Sequence, residues 1–184
     1  MSQQVKYYWG IEQGSAEWFA IRADLYTASN FLAVLKGRAK KNTAKSSHGG
    51  FWAERGKILE AQASILYQRI TGIELDFPAF ITNKLYPNAG YSPDGVNKNK
   101  TRLVEIKCFK REKHQSINTI EDIPAEVIAQ CLGGMMIAEI DTIDLVLYNP
   151  DDTAKNAFKI ITLTTNKKIK KIQDNIKNKL KELE

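Results

Sequence analysis

An aspartate, a glutamate and a lysine stand at a spacing that could support hydrolytic chemistry. Pro93-Asp94 is followed, after a turn-like segment, by Glu105-Ile106-Lys107 within the apolar run Leu103–Cys108. Side chains alternate between the two faces of a strand, so Glu105 and Lys107 would share one face roughly 7 Å apart. The other face would carry Val104, Ile106 and Cys108 into a core.

A hairpin that turns at 97–100 would bring Asp94 beside Glu105. Clustered carboxylates repel each other, and a hard divalent cation such as Mg²⁺ or Mn²⁺ relieves that repulsion. A lysine beside the ion can orient a water molecule and stabilise negative charge. The carboxylates, the ion and the lysine together predict metal-assisted phosphodiester hydrolysis. The structural alternative is that Asp94 caps a turn, while Glu105 and Lys107 form only a salt bridge.

The elements that must position these residues follow from the hydrophobic pattern. Helices are predicted at 15–22, 27–36, 51–70, 124–139 and 166–183, with Thr27 or Ser29 capping the second. Strands are predicted at 73–82, 89–96, 102–109, 143–149 and 157–164. This order indicates an α/β (α+β) fold in which a central mixed sheet is flanked by helices. Gly133-Gly134 inside a helix predicts a close backbone approach.

Length and composition narrow the class of protein. The 184 residues suffice for one domain, 1–184, and 43% are hydrophobic, as expected of a globular chain. No apolar run reaches the ~18–20 residues of a membrane span, and the N-terminus lacks a secretory pattern, so we expect a cytoplasmic protein. The two cysteines exclude a four-cysteine metal site and are expected to be free, buried thiols. The net charge of +6 suits a polyanion such as nucleic acid.

Four segments in order resemble one nuclease family. They are Gln13–Arg22 followed by Thr27-Ala28-Ser29, then Arg55–Glu60, then the Asp94/Glu105/Lys107 pattern, and last Ala129-Gln130. Together they resemble the lambda-exonuclease or YqaJ-like viral recombinase family of PD-(D/E)XK nucleases. The resemblance implies a restriction-endonuclease-like core.

The resemblance also implies roles for the matched residues. Asp94, Glu105 and the Ile106 carbonyl would bind Mg²⁺, as two ions, with Mn²⁺ as a substitute. Lys107 would position the attacking water, and Glu60 would complete the acidic cluster. Without the resemblance, Glu60 would be read as a solvated helix residue.

Arg22 and Ser29 match the pair that binds a terminal 5′-phosphate in this family, with Thr27 and Gln130 as further DNA contacts. An arginine fork grips phosphate oxygens, and a helix N-terminus near Thr27–Ser29 would favour an anion. The alternative is a surface arginine beside a capping serine.

A basic loop could follow the DNA backbone. It contains Lys36, Arg38, Lys40, Lys41 and Lys45, and its alternative is a solvated loop. The C-terminal lysines are expected on the wet face of the last helix. His48 and His114 are expected at the surface. Trp9, Trp18 and Trp52 are expected in the core, with base stacking as the alternative.

Three functions remain open. The first is a 5′→3′ exonuclease on linear double-stranded DNA, for which the resemblance implies a ring-shaped trimer, a phage single-strand annealing protein as partner, and a phage- or prophage-encoded enzyme in a bacterial cytoplasm. The second is a PD-(D/E)XK endonuclease that restricts DNA or cleaves junctions. The third is a DNA-binding module without catalysis.

Overall fold

The computed structural model describes residues 4–43, 51–153 and 155–183. Its α-helices and strands, in chain order, are β1 (Val5–Tyr8), α1 (Ala16–Arg22), β2 (Tyr26–Thr27), α2 (Phe31–Leu35), α3 (Phe51–Thr71), β3 (Leu75–Asp76), β4 (Phe80–Asn83), β5 (Tyr86–Tyr91), β6 (Gly95–Asn97), β7 (Leu103–Lys107), α4 (Arg111–Ser116), α5 (Ala125–Ala138), β8 (Thr142–Tyr148), β9 (Phe158–Thr164) and α6 (Lys167–Glu182). Short 3₁₀ turns cover Ala28–Asn30 and Ile120–Asp122. Within these ranges no helix has the length and apolar character to cross a membrane.

The strands form two mixed sheets rather than the single central sheet expected. The first has the order β1-β4-β5-β2 and the second β3-β6-β7-β8-β9, with parallel pairs β2/β5 and β7/β8. Each strand run predicted at 73–82 and 89–96 is interrupted, at Pro78 and Pro93 respectively, because proline cannot donate to a strand ladder. At each interruption the chain crosses from one sheet to the other. The mixed α/β class, with helices against the sheets, is confirmed.

Helix α5 lies at the centre of the larger core. It packs against β4, β5, β8, α2 and α6, and ten of its residues are buried. The two adjacent glycines explain how its neighbours come so close. A methyl carbon on Gly133 would lie 2.0 Å from Phe31 Cδ2, and one on Gly134 would lie 2.7 Å from Tyr91 Cε1. The close approach predicted from the sequence is therefore made by two aromatic rings.

The long helix α3 covers the second sheet. Leu59, Ala63 and Tyr67 are buried against β7 and β8, and Gly72 follows the helix with a positive φ of 69°. In α6, Ile176 and Leu180 are buried, whereas Lys167, Lys168, Lys170, Lys171 and Lys181 are exposed, as expected for the wet face of this helix. Both cysteines are free, with Cys131 buried and Cys108 half-buried.

Several sequence predictions are wrong in detail. His114 is fully buried rather than at the surface, because the unpredicted helix α4 directs its Nε2 onto the Asn156 carbonyl oxygen at 2.7 Å. Trp9 is 45% exposed rather than in the core, because it follows the unpredicted edge strand β1. Trp18 is half-buried, while His48 and the Trp52 side chain lie outside the described residues.

Alanine should have opposite effects on the free energy of unfolding at Gly134 of α5 and at Gly56 of α3. Gly134→Ala should lower the free energy of unfolding by about 1–3 kcal/mol, because the methyl group collides with Tyr91. Gly56→Ala is the matched control, since nothing lies within 4 Å of its added methyl carbon. It should stabilise the protein by about 0.5–1 kcal/mol. Urea unfolding followed by circular dichroism measures both, and equal stabilisation of the two variants would contradict this packing.

Candidate active site

Asp94 lies at the crossing between the two sheets, directly before β6. Its backbone N–H donates to the Val104 carbonyl at 3.2 Å, and its Oδ2 accepts from the Ile106 N–H at 2.6 Å. The antiparallel pairing of Gly95 with Val104 makes this the hairpin that the sequence predicts. The Asp94 carboxylate thus takes the place of a backbone carbonyl as the partner of the Ile106 N–H, at the end of the pairing between β6 and β7.

Glu105 is the most buried of the predicted site residues, with 1% of its surface exposed. Its Oε1 accepts from Lys107 Nζ at 2.7 Å and from Gln130 Nε2 at 2.6 Å. Its Oε2 accepts from the Tyr91 hydroxyl at 2.8 Å. Three donors therefore fix one carboxylate, which offsets the cost of burying its charge.

Tyr91 is the site residue that sequence reasoning missed. Its ring lies against Gly134 of α5, which directs its hydroxyl onto Glu105. The glycine pair was the available signal, but the sequence did not show which side chain approaches it. Gln130 was expected near DNA, and in the structure its amide donates to Glu105.

Glu60 completes a cluster of three carboxyl groups. Its side chain is hydrogen-bonded to Asp94, and burial raises the pKa of Glu60, with the charge of Glu105 adding to the shift. Burial also raises the pKa of Asp94 well above its usual range, and the charges of Glu105 and Glu60 raise it further. Burial is the larger cause for both groups, and mutual repulsion adds to it. An arrangement of this kind concentrates negative charge that a cation could neutralise.

For Lys107, burial and the neighbouring charges have opposite effects on the pKa. Burial opposes its charge, but the attraction of Glu105 and Asp94 outweighs burial and raises the pKa of Lys107. The ammonium group therefore stays protonated at neutral pH. It can donate hydrogen bonds and stabilise an anion.

A cleft of about 1110 Å³ opens above the cluster. Glu60, Asp94 and Ile106 line it, together with apolar side chains that include Ile65 and Phe77. Helix α3 forms one wall, and the segment that leads into α1 forms the other. The cleft is at the upper end of the roughly 300–1,000 Å³ typical of ligand pockets.

Trp18 connects the predicted phosphate site to the carboxylate cluster. The Arg22 guanidinium carbon lies 3.5 Å from the centre of the Trp18 ring. The indole N–H lies 3.1 Å from both the Ala79 carbonyl and the Ser92 hydroxyl. Burial lowers the pKa of Arg22 to about 10, and its Nε has no hydrogen-bond partner among the described residues.

Thr27 and Ser29 contact each other rather than capping a long helix. Their hydroxyl oxygens are 3.1 Å apart, and Asn42 Nδ2 donates to Thr27 Oγ1 at 3.1 Å. The predicted helix at 27–36 is instead the 3₁₀ turn followed by the five-residue α2. That helix is too short for the expected dipole to be strong. Any anion site here would depend on side-chain donors.

The basic loop begins where α2 ends. Lys36, Arg38, Lys40 and Lys41 are exposed, and Lys45 lies outside the described residues. Asn42 N–H donates to the Leu25 carbonyl and Asn42 O accepts from Asp24 N–H, both at 3.0 Å. The described part of the loop therefore returns to the segment that directly follows Arg22.

Residues 17–141 match the sequence pattern of the YqaJ-like viral recombinase domain. The chain belongs to the YqaJ-like viral recombinase family. This confirms the resemblance drawn from the motifs, and with it the assignment to a family of nucleases. No curated protein matches the chain.

Solved structures share the fold of this YqaJ-like chain. The alkaline exonuclease LHK-Exo from Laribacter hongkongensis is 23% identical over 92% of both chains, with a TM-score of 0.73. Its complex with dAMP gives 24% identity, the same coverage and a TM-score of 0.77. A phage-related exonuclease from Haemophilus somnus 129PT is 12% identical over 89% of this chain and 95% of its own, with a TM-score of 0.61.

The donor set of the YqaJ-like site suits the divalent cation that the resemblance implies. Asp94, Glu105, Glu60 and the Ile106 carbonyl offer the hard oxygen atoms that Mg²⁺ prefers. Within the described residues no three His, Cys, Asp or Glu side chains already stand as a ready-made metal site, since Glu105 is turned toward Lys107 and Gln130. The chemistry of the donors fits such an ion, and the raised carboxyl pKa values are the shifts a bound cation would reverse.

The raised pKa of Asp94 predicts that this residue destabilises the fold at neutral pH. The folded state holds the proton more tightly than the unfolded state, so stability falls as pH rises above about 3.9, the unfolded value. Asp94→Asn cannot ionise and keeps an oxygen for the Ile106 N–H. We expect a higher unfolding midpoint at pH 7 and no gain below about pH 4, measured by thermal melts in chelator.

Asp174→Asn is the control, because Asp174 is an exposed aspartate on α6. It should leave the midpoint nearly unchanged across the same pH range. A variant at Asp94 that is less stable than wild type at pH 7 would show that the carboxylate cluster is not repulsive.

Proposed function

We propose that this chain is a Mg²⁺-dependent exonuclease that digests linear double-stranded DNA from its ends in the 5′→3′ direction. It would release mononucleotides and leave 3′ single-stranded overhangs for single-strand annealing in phage-type recombination. The observation that carries the proposal is the cluster of Glu60, Asp94, Glu105 and Lys107, of which Glu60 and Asp94 line one cleft. Membership of a nuclease family supports it.

Asp94, Glu105 and the Ile106 carbonyl would hold the metal, as two Mg²⁺ ions or Mn²⁺ in their place, with Glu60 beside them. When bound, the metal supplies Lewis-acid activation of water and of the scissile phosphate. Lys107, protonated, orients the attacking water and donates to the charge that develops on the phosphate. Tyr91 and Gln130 hold Glu105 in position for this work through the bonds to its two oxygens.

The preference for DNA ends depends on Arg22. Its half-buried side chain stacks on Trp18, whose indole N–H contacts Ser92, two residues before Asp94. A cationic group fixed at this place suits the phosphate of a strand terminus, with Ser29 and Thr27 as further donors. LHK-Exo binds dAMP, a mononucleotide, which is the kind of product proposed here.

The remaining expectations come with the family resemblance. They are a ring-shaped homotrimer around DNA, a phage single-strand annealing protein as partner, and action in the cytoplasm of a bacterial host. The basic loop, including Lys40 and Lys41, would follow the duplex backbone. An endonuclease would use the same carboxylates and Lys107, but it would have no terminus for Arg22 to hold.

Linear and covalently closed circular duplexes distinguish the two nuclease functions. With Mg²⁺ the wild-type protein should degrade the linear duplex, leave the circle intact, and lose activity in excess chelator. Lys107→Ala should reduce the rate by more than tenfold, a change of about 1.4 kcal/mol, because the donor beside Glu105 is lost. Release of labelled nucleotides measures the rate.

Lys181→Ala provides the control, since Lys181 is an exposed lysine near the end of α6. It should digest linear DNA like the wild type. Cleavage of the closed circle would favour the endonuclease, and full activity in chelator would contradict the metal-dependent mechanism.

A second prediction concerns the terminal phosphate. Wild type should digest a duplex with a 5′-phosphate at least about tenfold faster than one with a 5′-hydroxyl at subsaturating DNA, because one charge-assisted bond contributes about 1.5–3 kcal/mol. Arg22→Ala should remove this difference, and Arg69→Ala, at an exposed arginine of α3, should retain it. If Arg22→Ala keeps the full preference, Arg22 is not the anchor.

A further inference from the structure

The edge strand β1 carries a surface that the proposed chemistry does not use. The rings of Tyr7 and Trp9 stack with centroids 5.7 Å apart and planes inclined by 12°. The Lys100 ammonium lies 4.5 Å from the Tyr7 centroid and 5.5 Å from that of Trp9. We call Tyr7, Trp9 and Lys100 the aromatic platform.

The platform is open to solvent. Trp9 is 45% exposed, although burying an aromatic side chain of this size is strongly favourable. Its contact with Tyr7 already fixes its orientation, so a planar ligand could stack on it with little loss of side-chain entropy. The Lys100 ammonium supplies positive charge beside both rings, and Glu139 contributes a negative charge near Tyr7. Lys6 points to the other face of β1, where it lies over the Tyr8 ring.

The platform also lies next to the rim of the cleft. The Tyr8 carbonyl, which precedes Trp9, accepts from the Ala79 N–H at 2.8 Å. Phe77 lines the cleft, is 56% exposed and stands only two residues before Ala79, within about 8 Å along the chain. Beyond Trp9 the chain runs directly to Glu12 and Gln13, which line the cleft as well.

We infer that the aromatic platform binds single-stranded DNA, namely the strand that is left undigested as it leaves the cleft. The inference rests on the proposed function for the identity of that strand. Bases stack on exposed aromatic side chains irrespective of their sequence, and lysines contact the phosphates between them. A platform of two stacked rings and a lysine has these elements, and a net charge of +6 favours the polyanion over an acidic protein segment of smaller charge density.

The experiment measures binding without cleavage. A fluorescent single strand of mixed sequence, about 20 nucleotides long, is titrated with the whole protein in excess EDTA, and anisotropy gives the dissociation constant. Trp9→Ala should weaken binding at least about fivefold, while Trp9→Phe, which keeps a ring, should lose less. Ile70→Ala is the control, since Ile70 is 62% exposed on α3 and should bind like the wild type.

A second variant tests the lysine independently. Lys100→Gln should weaken binding and lower the slope of log affinity against log salt by about 0.7, the value for one contact with a single-strand phosphate. Thermal melts and sedimentation of each variant test whether folding and self-association have changed.

Two results would overturn the inference. In the first, Trp9→Ala binds the single strand as tightly as Ile70→Ala does. In the second, Trp9→Ala alters the sedimentation of the free protein but not its DNA binding, which would make the platform a contact between copies of the chain. Because metal is absent, these outcomes are separate from the nuclease assay. Loss of binding in Trp9→Ala would support the platform even if the protein cleaved no linear DNA.

Discussion

The structure depends on keeping one carboxylate charged in the interior. Glu105 is almost fully buried, and an unpaired charge at such a place would destabilise the fold by several kcal/mol. Donors from three elements meet this requirement: Tyr91 at the end of β5, Lys107 on β7 and Gln130 on α5. The position of α5 against both sheets, and the glycines that allow it, follow from the need to bring these donors together.

The three carboxyl groups of the cluster differ in how fully they are paired with donors. Glu105 has its full set of donors, whereas Asp94 and Glu60 share a hydrogen bond and have raised pKa values. Their arrangement is unfavourable for the protein alone, as is common where residues are placed for a ligand or for chemistry. Lys107 is the cation of the cluster, and Glu105 and Asp94 stabilise its protonated form. One electrostatic environment thus defines both the acidic and the basic partner.

Local patterns in the sequence predicted more of this site than of the fold around it. The alternation at 103–108 and the turn before it suffice to place Asp94, Glu105 and Lys107 together, because strand geometry relates near neighbours. The contacts of Tyr91 and Gln130 with Glu105 were not predictable, since they depend on how α5 crosses the sheet. Strand β1 was missed because its half-buried side chains, Val5, Tyr7 and Tyr8, do not all lie on one face, and the burial of His114 depends on a short helix that packing stabilises.

The position of Asp94 has a mechanical consequence. Glu105 and Lys107 belong to the second sheet, but Asp94 lies on the segment that joins it to the first, so the alignment of the two sheets sets the separation of the carboxylates. Side-chain hydrogen bonds between described residues brace that joint: Trp18 contacts Ala79 and Ser92, one on each crossing, and Gln13 Nε2 donates to the Pro93 carbonyl at 3.1 Å. These braces involve half-buried side chains, whereas the strands are held by continuous ladders. On heating, the joint would loosen before the sheets melt, and thermal inactivation would precede the loss of secondary structure.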